Sequence, residues 1–181
     1  MRAAKIILEI LKVGAGVFVA ALFIRYFLFQ PFVVEGSSME PNFHNGQYLF
    51  VEKLSYDFHR PKRGDVVVFK YPLDTTVDYI KRVIGLPGDT VTIKSGQVFV
   101  NNQPLTETYL APGQKTILLS GTEASYSVTV PAGEYFMMGD NRDHSADSRE
   151  GWLLPKKDII GKTALVLFPA NQFHAITAPK Y

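Results

Sequence analysis

The 181 residues suffice for one well-packed core with a modest appendage, not for two independent domains. A 46% share of hydrophobic residues and a mean hydropathy of +0.03 place some apolar length in lipid, while a formal charge of +2, with Lys and Arg interspersed among Asp and Glu, excludes a nucleic-acid surface. The absence of cysteine excludes disulfides, thiolate catalysis and cysteine-ligated zinc.

Residues 6–29 are dominated by Ile, Leu, Val, Ala and Phe, interrupted by Glu9, Lys12 and Arg25. The uninterrupted part, 13–24, is about 12 residues, short of the roughly 20 that cross a bilayer. The whole stretch reaches that length when Glu9 and Lys12 sit at the headgroups and Arg25 snorkels. No small-x-small cleavage site follows, because the chain runs on as Phe29-Gln30-Pro31-Phe32-Val33-Val34. Residues 1–29 therefore read as an uncleaved anchor with one transmembrane helix, not as a removed leader. Arg2, Lys5 and Lys12 before the apolar run, against Arg25 after it, put the N-terminus in the cytoplasm and the body, 30–181, outside. An amphipathic helix on the membrane surface is the weaker alternative, since 13–24 has no polar face.

Beyond Pro31, short apolar stretches are punctuated by Gly, Pro, Asn and Asp, which predicts a mainly β body. Strands are expected over 47–52, 65–71, 77–84, 90–94, 97–100, 116–119, 125–130, 135–138 and 163–168. Two hairpins are expected. One spans 90–100 and turns at Ser95-Gly96; the other spans 80–91 and turns through Gly85-Leu86-Pro87-Gly88-Asp89. Residues 101–131, richer in Thr, Ser, Gly and Pro, read as a small cap inserted on the core.

The turn Gly36-Ser37-Ser38-Met39-Glu40-Pro41 stands where the chain leaves the membrane, and it offers a serine hydroxyl that needs a base. On a strand of period two, Val77, Tyr79, Lys81 and Val83 share one face, so Lys81 falls in an apolar row. Burial there disfavours the ammonium and makes a neutral amine available. His44, His59, His144 and His174 stand in polar loops or near the terminus, and spacing leaves a triad through His144 open. The polar loop 139–149 places acids at Asp140, Asp143 and Asp147, with Ser145 at the sixth position. That pattern rejects an EF-hand, leaves an incidental ion open and suits a salt-bridged loop.

Four segments, in this order, resemble bacterial type I signal peptidases, the membrane serine proteases of the Ser-Lys dyad family that remove signal peptides from exported preproteins. They are 36–41, 63–69 (Arg-Gly-Asp-Val-Val-Val-Phe), 79–89 and 139–149. The resemblance implies a dyad of Ser38 and Lys81, with Ser145 orienting the lysine and the Ser38 backbone N–H serving the oxyanion hole. It implies salt bridges among Arg82, Asp140, Asp147 and Arg149, including Asp140 with Arg82, and shallow substrate pockets walled by Phe32, Val34, Met39, Tyr79 and Ile80. It further implies a catalytic core of antiparallel sheets, amide hydrolysis through an acyl-enzyme, no metal or cofactor, and a single-pass protein of the plasma membrane whose partners are preproteins and lipid. Gly36 stands where some members carry a serine that donates to the oxyanion hole, which leaves the second donor open. Two rival readings exist. Self-cleaving repressors share the chemistry but carry a DNA-binding domain where this chain has its apolar segment, and a non-catalytic membrane scaffold has no need of Ser38, Lys81 and Ser145.

Overall fold

The computed structural model describes residues 2–23, 29–118 and 125–179. Helix α1 covers Arg2–Phe23, with Lys12 and Glu9 paired at 3.2 Å on its surface. The span expected over 6–29 is thus described only as far as Phe23, and no helix among the described residues is long and apolar enough to cross a membrane. Arg25 and Leu119, both used in the expectations above, lie outside the described residues.

The body is two antiparallel sheets. The larger is built from β1 (Phe29–Val33), β2 (Tyr48–Glu52), β3 (Val66–Tyr71), β4 (Asp74–Gly85), β9 (Glu134–Met138), β10 (Leu154–Pro155), β11 (Ile159–Phe168) and β12 (His174–Ala175). Its order is β1-β2-β11-β3-β4-β9-β10, with β12 beside β11. The smaller, in the order β7-β6-β5-β8, uses β5 (Thr90–Lys94), β6 (Gln97–Val100), β7 (Gln103–Pro104) and β8 (Ser125–Thr129). A short helix, α2 (Ser55–Phe58), follows β2.

At β3, the second half of β4 and β9 both faces of the large sheet are covered, and this explains the continuous apolar runs there. On β3, Val66 and Val68 enter one core cluster with Val34, Met39 and Leu49, while Val67 and Phe69 enter a second with Tyr135, Met137 and Trp152. On β9 the alternation continues, Phe136 and Met138 meeting Ile84 and the small sheet's Val91, Ile93 and Val98 in a third cluster. The strands expected from apolar patterning are found within a few residues, except that 116–118 is not a strand.

The 90–100 hairpin turns through Ser95 and Gly96, both at positive φ (52° and 79°), but the expected 80–91 hairpin is not one. β4 pairs with β3 and β9, and β5 pairs with β6 and β8, so 85–89 carries the chain from one sheet to the other. The reason is tertiary. Arg63 donates to Ile84 O (2.5 Å) and to Asp89 Oδ2 (3.0 Å), and a Cβ at Gly85 would press on Val91 and Phe136, so the crossing is pinned on both sides.

Candidate active site

Ser38 sits in the turn that follows β1. The chain enters it through Gly36 at φ +88°, a backbone shape that favours glycine, and Gly36 N donates to Asn45 Oδ1 at 2.8 Å. Val34 and Met39, on either side, are 2% and 1% exposed and anchor the turn in the first core cluster. From below, Asn141 holds it, its N donating to Ser38 O (3.0 Å) and its Nδ2 to Ser37 O (3.1 Å).

Lys81 arrives on β4 opposite Val67 and is 4% exposed. Its Nζ lies 2.7 Å from Ser38 Oγ, 3.1 Å from Ile80 O and 4.9 Å from the centre of the Tyr79 ring. Burial pushes the amine down to about 8, with Asp147, Asp140 and Glu150 pulling the other way. An amine so placed can take a proton from the serine hydroxyl near neutral pH, which an ordinary lysine cannot.

Two buried ion pairs flank the lysine. Arg82 grips Asp140 with Nε (2.8 Å) and Nη2 (2.6 Å) and donates to Gly64 O. Asp147 accepts from Arg149 Nε (2.8 Å) and Nη2 (2.9 Å) and from Gly139 N (3.0 Å). Ser145 is buried beside Ser38, but its Oγ has no hydrogen-bond partner among the described residues, Lys81 Nζ being engaged by Ser38 and Ile80 instead. It lies against Gly139, where a side chain would collide with Ser145 Oγ and the Ser38 carbonyl, so glycine there is a condition of the close approach.

A groove of about 660 Å³ opens over the pair, between β1 and β4. Phe32, Tyr79 and Ile80 line it, whereas Val34 and Met39 lie beneath it in the core. Tyr79 is held by stacking on Tyr71, with ring centres 4.5 Å apart. The other lining residues, among them Pro31, Glu35, Thr76, Asp78 and Ala146, were not read from the sequence. For Thr76 and Asp78 a signal existed, because they continue the same strand as Lys81. Both walls are strand edges. β1 pairs only with β2, and β9 joins β4 only from Arg82 onward, so 29–33 and 74–81 each present an edge that pairs with no strand among the described residues.

No histidine lines the groove, and among the described residues no group of three or more His, Asp or Glu is arranged to hold a metal. The family Signal peptidase, peptidase S26 matches residues 7–168. The chain is 44% identical over 158 residues to a signal peptidase I of Bacillus licheniformis, covering 85% of this chain and 84% of that one. It is 42% identical over 173 residues to signal peptidase I S of Bacillus subtilis, covering 93% and 92%. A crystal structure of a signal peptidase I from Enterococcus faecalis is 32% identical, with a TM-score of 0.49 over 57% of this chain and 97% of that one. On the family match and the two Bacillus relatives, the chain belongs to the signal peptidase family, peptidase S26, and is a serine endopeptidase.

Proposed function

We propose that this chain removes N-terminal signal peptides from exported preproteins, with Ser38 as the nucleophile and Lys81 as the general base. The observation that carries this is the 2.7 Å approach of Lys81 Nζ to Ser38 Oγ, with the amine buried and thereby lowered to about 8. Ser38 Oγ bonds to the scissile carbonyl carbon as its proton passes to Nζ. Lys81 then returns that proton to the departing amine nitrogen, the C–N bond breaks, and an ester on Ser38 remains. Water, deprotonated by the same amine, cleaves the ester and regenerates the serine. The Ser38 backbone N–H, which donates to no group among the described residues, is the donor for the carbonyl oxygen as it gains charge.

The substrate is bound as an extended strand. β1 and β4 both run toward Ser38, so a peptide entering between their edges pairs in parallel with both and delivers its carbonyl at the closed end. Phe32, Tyr79 and Ile80 leave shallow apolar room, which favours Ala, Gly or Ser before the cut and small or aliphatic residues two positions earlier.

Helix α1 serves as part of a membrane anchor. Its Ile6, Ile10, Leu11, Val13, Val17 and Phe18 are all about 60% or more exposed, and from Val13 onward the helix carries no charged residue, which supports lipid as its partner. The apolar sequence continues to Phe29, and the excess of Arg and Lys before it supports a cytoplasmic N-terminus. Val33, Tyr48 and Phe168 form one exposed row across β1, β2 and β11, which supports a lipid-facing edge beside the groove.

The test is hydrolysis of a fluorogenic signal-peptide substrate by the full chain in detergent. Ser38→Ala and Lys81→Ala each abolish turnover while His144→Ala does not. Near-normal kcat in Lys81→Ala, or loss confined to His144→Ala, dismisses the dyad.

A further inference from the structure

Among the described residues, the segment between β7 and β8 contributes no side chain to the groove, yet it holds the arginines beside it. Arg142 is fully buried, and its guanidinium is met by three side chains of this segment. Nη1 donates to Glu107 Oε2 (3.0 Å) and to Thr116 Oγ1, while Nη2 donates to Glu107 Oε1 and to the Tyr109 hydroxyl (3.1 Å). Arg149 reaches the same segment through Ile117 O at 2.9 Å. Tyr109 lies between two arginines. Its ring stands 4.1 Å from Arg82 Cζ, its hydroxyl donates to Glu107 Oε1 at 2.7 Å, and its carbonyl accepts from Asn42 Nδ2, which also donates to Asp140.

The far side of Arg142 touches the catalytic turn through one peptide. Arg142 Nε donates to Gly139 O (3.1 Å), and Gly139 lies against the Ser38 carbonyl, which Asn141 N holds two residues further on. A guanidinium buried without its carboxylate is costly, so loss of Glu107 draws Arg142 toward Asp140 or toward water. Either movement pulls on the backbone that fixes Ser38. We propose that Glu107 and Tyr109 are positioning residues, holding Arg142 and Arg82 so that the 139–149 loop keeps Ser38 opposite Lys81; this rests on the reading of Ser38 and Lys81 as the reacting pair. Misplacement of a reacting group by about 1 Å can cost on the order of 100-fold in rate, and since neither Glu107 nor Arg142 lines the groove, the expected effect falls on kcat more than on KM.

The experiment uses the full chain in detergent and the same fluorogenic peptide, with kcat and KM measured separately. Glu107→Gln lowers kcat about 10- to 100-fold and leaves KM within about twofold. Arg142→Gln does the same, and the double variant is no slower than the slower single, as expected of residues acting through one contact. A folded Glu107→Gln protein with kcat within about twofold of the parent overturns the proposal, as does a raised KM at unchanged kcat. Should Glu107→Gln fail to fold, Tyr109→Phe decides, since it removes one hydroxyl and leaves the ring on Arg82. There a severalfold fall in kcat at constant KM is expected, and an unchanged kcat overturns the idea. Ser38→Ala, run alongside, separates the two failures. Turnover surviving there dismisses the dyad and the positioning role together, whereas turnover lost there but kept in Glu107→Gln dismisses the positioning role alone.

Discussion

Replacing Lys81 with methionine tests what the proposed base costs the fold. Lys81 is 4% exposed, and burial lowers its amine from the ordinary 10.5 to about 8. Below pH 8 the side chain is protonated in both states, and the folded protein carries a buried ammonium. Above pH 10.5 it is neutral in both states and that cost is gone. Between those values the unfolded chain binds more protons, so this group alone makes stability rise with pH. At 1.36 kcal/mol per unit the rise amounts to about 3 kcal/mol. Lys81→Met keeps the length and apolar stem without the charge. It is therefore more stable than the parent at pH 7, with an advantage that shrinks by about 3 kcal/mol as pH passes from 8 to 10.5. The assay is urea unfolding of both proteins in detergent across that range, taking the difference so that other titrating groups cancel. A difference flat with pH refutes the buried, depressed amine on which the proposed chemistry depends.

Three other outcomes follow from the same geometry. The rate kcat/KM rises about tenfold between pH 7 and pH 9 as Lys81 loses its proton, and a profile flat over that interval counts against Lys81 as the base. Gly36→Ser destabilises by about 1 kcal/mol and lowers kcat, because a side chain at φ +88° is strained although nothing stands within 4 Å of the new Cβ; a raised kcat means that the added hydroxyl serves as an oxyanion donor. Gly139→Ala lowers kcat on the order of 100-fold by forcing Ser145 and the Ser38 backbone apart, and a rate within about twofold of the parent removes the close approach from the account.

Where the sequence was legible, one local period carried the information. The run Val66-Val67-Val68-Phe69 reads as a strand, which the fold covers on both faces, and the alternation from Val77 to Val83 puts Lys81 among apolar neighbours before any partner is known. Ser95-Gly96 fixes a hairpin by its own backbone needs. Gly85 to Asp89 looks locally the same, but whether such a turn folds a strand back or sends it to another sheet is decided by Arg63, about twenty residues upstream, and by the contact of Gly85 with Val91. β10 and β12 are two residues each, too short to leave a period. Val34 and Met39 were expected at the groove because they flank Ser38, yet both are buried in the first core cluster, where they anchor the turn. Arg142 and Glu107 are 35 residues apart on unrelated elements, and neither carries a local mark of the other.

The account stands most directly on an acid quench. The full chain is mixed with excess signal-peptide substrate, stopped within the first turnovers, digested and weighed by mass spectrometry. The expected result is a peptide containing Ser38 heavier by the acyl portion of the substrate, with no such mass from Lys81→Ala. Turnover without any acyl mass on Ser38, or an acyl group found on another residue, contradicts it.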